Sequence, residues 1–237
     1  MIIISGGDEA GRGAILGPLV VSMVSINKSI EHKLTEVGVR DSKMLSRKRR
    51  EIAFKEIKKL ANNIEVDKIY PEEINSAMKS GISLNELEAV HFARLLDRVG
   101  DVSMVYLDSP DVIAEKFGIR VSNISNKQTK VMGVKGKTEK GVHYTRILAR
   151  HKADSIYPVV SAASIIAKVT RDREIDLLSR KIGIDIGSGY PSDFKTIDAI
   201  RDSMKDGSLN AHLRHQWKTM ENIRQTRLFN FNGFDGF

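Results

Sequence analysis

Apolar positions along the chain change their period several times, and each change marks an element. Residues 2–4 are a short β-branched run closed by Gly6-Gly7, with Asp8-Glu9 expected just after the strand. Gly17-Pro18 is a turn signal, and the apolar run at 19–26 beyond it predicts a second strand beside the first. From Ser46 to residue 61 the period becomes helical, with Ile52, Phe54, Ile57 and Leu60 near one face. A strand at 64–69 comes next, followed by a short helix opened by Pro71 and a longer amphipathic helix over 83–99. Residues 102–107 predict a strand ending at Asp108-Ser109-Pro110. The polar, lysine-rich stretch at 123–141 reads as a hairpin or mobile loop. A strand at 146–150 leads into His151-Lys152-Ala153-Asp154, and 158–178 predicts a helix whose first half is rich in small residues. Beyond it, 191–224 reads as two polar helices around a break at Gly207.

Strands alternating with helices predict an α/β fold, a mixed sheet flanked by helices. No repeat or linker interrupts the pattern. The expected organisation is a main domain over 1–190, a helical C-terminal lobe over 191–224, and a phenylalanine-rich tail over 225–237.

Composition narrows the class. With 41% hydrophobic and 29% charged residues the chain has the make-up of a soluble globular protein. No apolar run approaches the roughly 18 residues that span a bilayer, and Met1-Ile-Ile-Ile-Ser5 carries no cationic leader, so a cytoplasmic monomer without a membrane partner is expected. The absence of cysteine excludes disulfides and zinc–thiolate sites. A net charge of +8 attracts polyanions, because neutralised phosphates release their counterions. Nucleic acid is therefore the favoured partner class.

The candidate chemistry lies in acidic residues placed at strand ends: Asp8 and Glu9, Asp108, and Asp154. Strand termini are where distant segments converge in α/β folds. Close carboxylates raise one another's pKa, so a cluster that stays charged requires a cation. Oxygen-only ligands favour Mg2+ or Mn2+ over zinc. Two such ions about 4 Å apart activate a water and stabilise the leaving oxygen in phosphodiester hydrolysis. Taken singly, each of these residues better suits a turn or a helix cap, and spacing by itself does not show that the four meet. Gly11-Arg12-Gly13 follows the first acidic pair; its glycines allow backbone N–H groups near a phosphate or sugar, and its arginine can fork onto phosphate oxygens.

The string Gly7-Asp-Glu-Ala-Gly-Arg-Gly-Ala-Ile-Leu-Gly-Pro-Leu-Val-Val21 resembles the opening signature of ribonuclease HII, the type 2 ribonuclease H family. Further blocks follow in the family's order: Arg40-Asp-Ser-Lys-Met-Leu-Ser46, Tyr106-Leu-Asp-Ser-Pro110, His151-Lys-Ala-Asp154, the run from Tyr157 to Asp172, and Gly187-Ser-Gly-Tyr-Pro191. They cover most of 2–195, and the His-Lys-Ala-Asp form is similar to the archaeal branch. The related ribonuclease HIII typically carries an extra N-terminal domain for which this chain has no room.

The resemblance implies a ribonuclease H-like fold and cleavage of RNA paired with DNA, including single ribonucleotides embedded in duplex DNA. It implies Mg2+ or Mn2+ as cofactor, with roles in replication and repair. Asp8, Glu9, Asp108 and Asp154 match the family's metal-binding carboxylates. Gly11, Arg12 and Gly13 match the loop that reads the ribose 2′-hydroxyl, the group that separates RNA from DNA. Tyr190 matches the tyrosine that stacks on the following deoxyribose.

Other residues bear on the reading with less force. Lys43 is a candidate phosphate contact, and Asp41 a turn or cap residue rather than a fifth ligand. The run from Ser161 to Ser164 is expected to let a helix pack closely; no histidine pattern makes either serine a nucleophile. His143 and His151 are read as surface or hydrogen-bonded residues. The segment 126–140 is longer and richer in lysine than is usual for the family, and Lys127, Lys130, Lys135, Lys137 and Lys140 either grip a phosphate backbone or keep a loop solvated. Gln225, Leu228 and Phe231 have the spacing of a sliding-clamp-binding peptide, though Asn232 replaces its usual second aromatic. A terminus of this kind also docks onto its own domain. Two rivals remain: a non-catalytic binder using the basic surface alone, and another nuclease on the same fold.

Overall fold

The computed structural model describes residues 1–39, 45–135 and 141–223. Its centre is a six-stranded sheet in the order β3-β2-β1-β4-β6-β5. In chain order the strands are β1 (Ile3–Ala10), β2 (Leu19–Asn27), β3 (Asn63–Ile69), β4 (Met104–Asp108), β5 (Thr129–Val131) and β6 (Thr145–Arg150). The helices are α1 (His32–Glu36), α2 (Arg47–Leu60), α3 (Pro71–Lys79), α4 (Leu84–Arg98), α5 (Ala114–Ile124), α6 (Ala153–Ile156), α7 (Pro158–Ile182) and α8 (Phe194–Ser203). β2 is antiparallel to β1, whereas β1–β4, β4–β6 and β5–β6 are parallel. No helix among the described residues is long and apolar enough to cross a membrane.

The chain divides into two compact units. The first holds Met1–Ala10, Val20–Lys68 and Ser83–Thr170, and with them the sheet. The second is drawn from Gly11–Leu19, Ile69–Ile82 and the chain from Arg171 onward. The second unit thus takes in two early segments, where the hydrophobic pattern drew its boundary only at residue 190.

Glycines stop many strands, yet β1 runs through Gly6-Gly7, which pair with Val24 and Met23 of β2. Asp8 and Glu9 therefore lie inside the strand, not beyond it. Both glycines are required by close packing from opposite faces. A Cβ on Gly6 would come within 2.4 Å of the Val159 backbone at the start of α7. One on Gly7 would come within 2.7 Å of Leu107 and 2.9 Å of the Phe92 ring on α4. On the α7 side, Ile4, Val24, Ile57, Val159 and Ile166 belong to one buried cluster. The expected close approach at 161–164 is present: Ala162 and Ala163 are fully buried, and the Ser22 hydroxyl donates to the Ala163 carbonyl over 2.7 Å.

The stretch at 123–141 differs from its expectation. Its described part holds the end of α5 and then β5, an edge strand parallel to β6; a hairpin would have been antiparallel. Helix α5 has a helical stripe, with Ala114, Phe117, Gly118 and Val121 buried. Gly118 obscures that stripe in the sequence, and it is there because Val131 and Ala149 lie 3.2–3.3 Å from where its Cβ would stand. α2, α3 and α4 begin where expected, α4 behind a full capping box in which Ser83 and Glu86 exchange hydrogen bonds.

In the second unit, Ile15, Leu16, Ile175, Leu178, Ile186, Ile200 and Leu213 build a separate core. After α8 comes a 3-10 turn at Asn210–His212, and the chain is helical again from 218 to 223. Around Gly207 the described residues thus form a helix, a turn and a helical stretch that reaches residue 223, the last one described.

Candidate active site

Strand register brings the carboxylates together. β1 and β4 run parallel with Ile4 beside Met104 and Gly7 beside Leu107, so the next step along both strands sets Asp8 beside Asp108. β4 and β6 pair Asp108 with Arg150, which places the segment after β6 at the same end of the sheet. Ligand oxygens of Asp8, Glu9 and Asp108 all lie within 4.8 Å of one another. Asp154, 4% exposed, stands outside that group on α6. It is tied to the group through Ala153, whose N–H donates to Asp108 Oδ1 over 2.7 Å.

The turn that presents Asp154 is strained. Lys152 adopts φ 54°, ψ 36°, the only left-handed conformation of a non-glycine residue among those described. Such backbone persists where its surroundings impose it, and it concentrates at functional sites. His151 Nε2 lies 2.7 Å from the carbonyl oxygen of Asp111, which ties this loop to the one that follows β4.

Electrostatics set the character of the group. Burial pushes the Asp8 carboxyl well above its ordinary pKa; the charges of Glu9 and Asp108 push the same way. Hydrogen bonds from the Ser164 side chain and the Glu9 backbone partly offset them, the latter at 2.8 Å. Three acidic groups so placed repel one another, and their hard oxygen ligands are of the kind that could hold a divalent cation. Ser164 was expected only as a small packing residue; its contact with Asp8 could not be read from a run of small side chains.

The second unit carries the glycine loop and Tyr190. Gly11 has φ 93°, and a Cβ there would come within 2.3 Å of Arg171 Nε. The fold itself therefore demands a glycine at 11. At Gly13 a Cβ would meet nothing within 4 Å, and φ is not positive. Its side is open to an arriving group. Ile15 and Leu16 donate to the Gly189 carbonyl over 2.9 and 3.2 Å, joining the glycine loop to the loop that ends in Tyr190. Arg214, fully buried, donates to the carbonyls of Arg12 and Gly17 over 3.1–3.2 Å.

Arg171 is the residue sequence reasoning missed. It lies inside the Tyr157–Asp172 block. A signal was available: Arg171 is in phase with Ile175 and Leu178, so a cation occupies the buried stripe of α7. It has no exposed surface, and burial pulls its pKa below the usual arginine value.

Lys43, Asp41, Lys137, Lys140, Gln225, Leu228 and Phe231 lie outside the described residues. Lys127 donates to the Gly100 carbonyl, a structural contact within the first unit.

The ribonuclease HII family model matches residues 5–220. A ribonuclease HII of Thermoplasma volcanium is 43% identical over 222 residues, covering 93% of this chain and 92% of that protein. Among solved structures, the ribonuclease H2 of Pyrococcus horikoshii superposes with a TM-score of 0.79 at 35% identity, covering 95% of this chain and 98% of that one. The ribonuclease HII of Archaeoglobus fulgidus, solved in complex with PCNA, gives a TM-score of 0.77 at 38% identity, covering 92% and 96%.

Proposed function

The chain belongs to the ribonuclease HII family, RNA–DNA hybrid endonucleases on a ribonuclease H-like fold, and from that premise we propose a division of labour among its residues. Asp8, Glu9, Asp108 and Asp154 hold Mg2+ or Mn2+ and are the catalytic carboxylates. The observation that carries this is the group of acidic oxygens within 4.8 Å around a buried Asp8. Acidic groups this close, with Asp8 buried and the other two half-buried, are costly without a cation, and an all-oxygen set fits a hard one. When bound, such ions lower the pKa of water and neutralise charge on the scissile phosphate.

The remaining work falls to the chain itself. Ser164 and the Glu9 N–H orient the Asp8 carboxylate. Ala153 fixes Asp108, and the strained Lys152 turn aims Asp154. Gly11, Arg12 and Gly13 read the ribose 2′-hydroxyl, for which the open side of Gly13 leaves room. Tyr190 stacks on the sugar that follows, and residues 191–224 supply a lobe that helps hold the duplex. Lys43 contacts a phosphate. Hydrolysis leaves a 3′-hydroxyl and a 5′-phosphate.

The experiment uses duplex DNA containing one ribonucleotide beside an all-DNA control, each with magnesium, manganese or chelator. Metal-dependent cutting only at the ribonucleotide supports the whole reading. Cutting of both duplexes keeps the nuclease and rejects the sugar recognition. Binding without turnover favours the non-catalytic basic binder.

The complex of the Archaeoglobus fulgidus relative with PCNA supports a second role for the tail, with Gln225, Leu228 and Phe231 as a clamp-binding peptide. Titrating purified clamp against the full chain and a chain ending at Arg224 decides it; equal affinities reject the idea.

A further inference from the structure

Arg171 is an expensive residue. Its guanidinium is completely buried, and it donates only to backbone carbonyls: Nη2 to Ser188 over 3.0 Å and to Leu16 over 3.4 Å. Nε and Nη1 are buried and find no hydrogen-bond partner among the described residues. A buried N–H left unsatisfied costs its desolvation with nothing in return, and a well-packed apolar side chain of similar volume often replaces a buried charge at no loss of stability. Stability alone therefore does not account for an arginine here.

Its contacts converge on the two recognition loops. The guanidinium carbon lies 4.5 Å from the centroid of the Tyr190 ring, a cation–π arrangement in a desolvated setting. Nε and Cδ stand where a Cβ of residue 11 would be, at 2.3 and 2.4 Å. Nη2 lies 2.8 Å from where a Cβ of Gly189 would stand, one residue before Tyr190. The planar head thus fills the space between the glycine turn and the tyrosine loop, and only glycines at 11 and 189 leave it that space.

We propose that Arg171 is a positioning residue for sugar discrimination, setting the Tyr190 ring against the glycine loop so that both read the substrate as one rigid element. The role rests on the proposed reading of Tyr190. Arg171 does not touch substrate; it acts through the ring it supports.

The test compares Arg171→Met, Arg171→Lys, Tyr190→Ala and the double variant Arg171→Met/Tyr190→Ala. The readout is the ratio of kcat/KM on a single-ribonucleotide duplex to that on a long RNA–DNA hybrid. Arg171→Met should lower the ratio about tenfold, and Arg171→Lys, lacking the planar face, should also lower it. The double variant should fall no further than Tyr190→Ala alone. A purely structural role would instead reduce activity on both substrates alike. Ring NMR signals of Tyr190, recorded without substrate, should shift in both Arg171 variants. A wild-type ratio in folded Arg171→Lys, or unshifted Tyr190 signals, overturns the proposal. If Tyr190→Ala leaves the ratio unchanged while the ring signals still shift in the Arg171 variants, the proposed role of Tyr190 fails and the discrimination role of Arg171 fails with it. The coupling of the two side chains then stands as packing alone.

Discussion

Asp108 Oδ1 accepts the N–H of Ala153 over 2.7 Å, so one carboxylate of the acidic group also caps the turn that presents Asp154. The residue thus has a structural duty beside the chemical one proposed for it, and substitutions can separate them. Asp108→Asn keeps an oxygen acceptor for Ala153 and should fold normally while losing cleavage. Asp108→Ala should lose cleavage and also about 1 kcal/mol of stability. Thermal melts beside cleavage assays check this; equal melting temperatures for the two variants would separate Asp108 from the turn.

Asp8 should behave as a residue under strain without metal. Its folded pKa is raised, so the folded state binds this proton more tightly than the unfolded chain does. Stability from that proton is full below the unfolded pKa and is lost as pH rises through the folded one. At neutral pH in chelator, Asp8→Asn should therefore melt higher than wild type, by roughly 2–4 °C for each kcal/mol relieved. Cleavage should fall by orders of magnitude. A variant with near-normal turnover would remove Asp8 from the catalytic set.

The two glycines of the recognition loop should respond oppositely. Gly11→Ala places a Cβ against Arg171 at a positive φ and should destabilise the protein. Gly13→Ala meets no atom within 4 Å and should leave the melting temperature nearly unchanged. Its loss should appear in substrate affinity, at about tenfold or more if a ribose approaches that side. Unchanged KM and kcat in folded Gly13→Ala would mean that nothing approaches it.

Acid sensitivity should have a contribution from outside the acidic group. Burial raises the Asp67 pKa, but hydrogen bonds from His91 at 3.1 Å and from Arg98 outweigh it, leaving the carboxyl below its ordinary value. Stability from this group is present above the unfolded carboxylate pKa and is lost as pH falls through the folded one. Asp67→Asn should flatten the decline of melting temperature below about pH 4, where the free carboxyl titrates. An identical acid limb in the two proteins would place the sensitivity elsewhere.

Much of this architecture is legible in residue order, for reasons that differ by element. Ser83 and Glu86 announce α4 because capping is local chemistry. β2 and β6 show in apolar or alternating residues because their surroundings are uniform along their length. The end of β1 misleads, since Gly6-Gly7 looks like a stop while its reason is tertiary: helices press on both faces. Gly118 hides α5 in the same way. The carboxylates stand out by position, yet only strand register shows that Asp8 and Asp108 are neighbours, and only the turn after β6 shows where Asp154 stands. Arg171 is the hardest to read, because a charged residue on a helix ordinarily faces water, and one of the two loops that bury it, at Gly11 and Leu16, lies far away in sequence.

The parallel register of β1, β4 and β6 also has a consequence for how the protein is made. Asp8 leaves the ribosome early, but its neighbour on the sheet is Asp108, and Asp154 follows only after β6. Pairing between strands so distant in sequence is slow, because loop-closure entropy is lost before contacts repay it. A nascent or truncated chain ending before residue 154 contains most of the sheet and the glycine loop, yet lacks one of its acidic groups. Synthesis order thus works as a delay: the proposed metal site can be whole only once about two thirds of these 237 residues have been made.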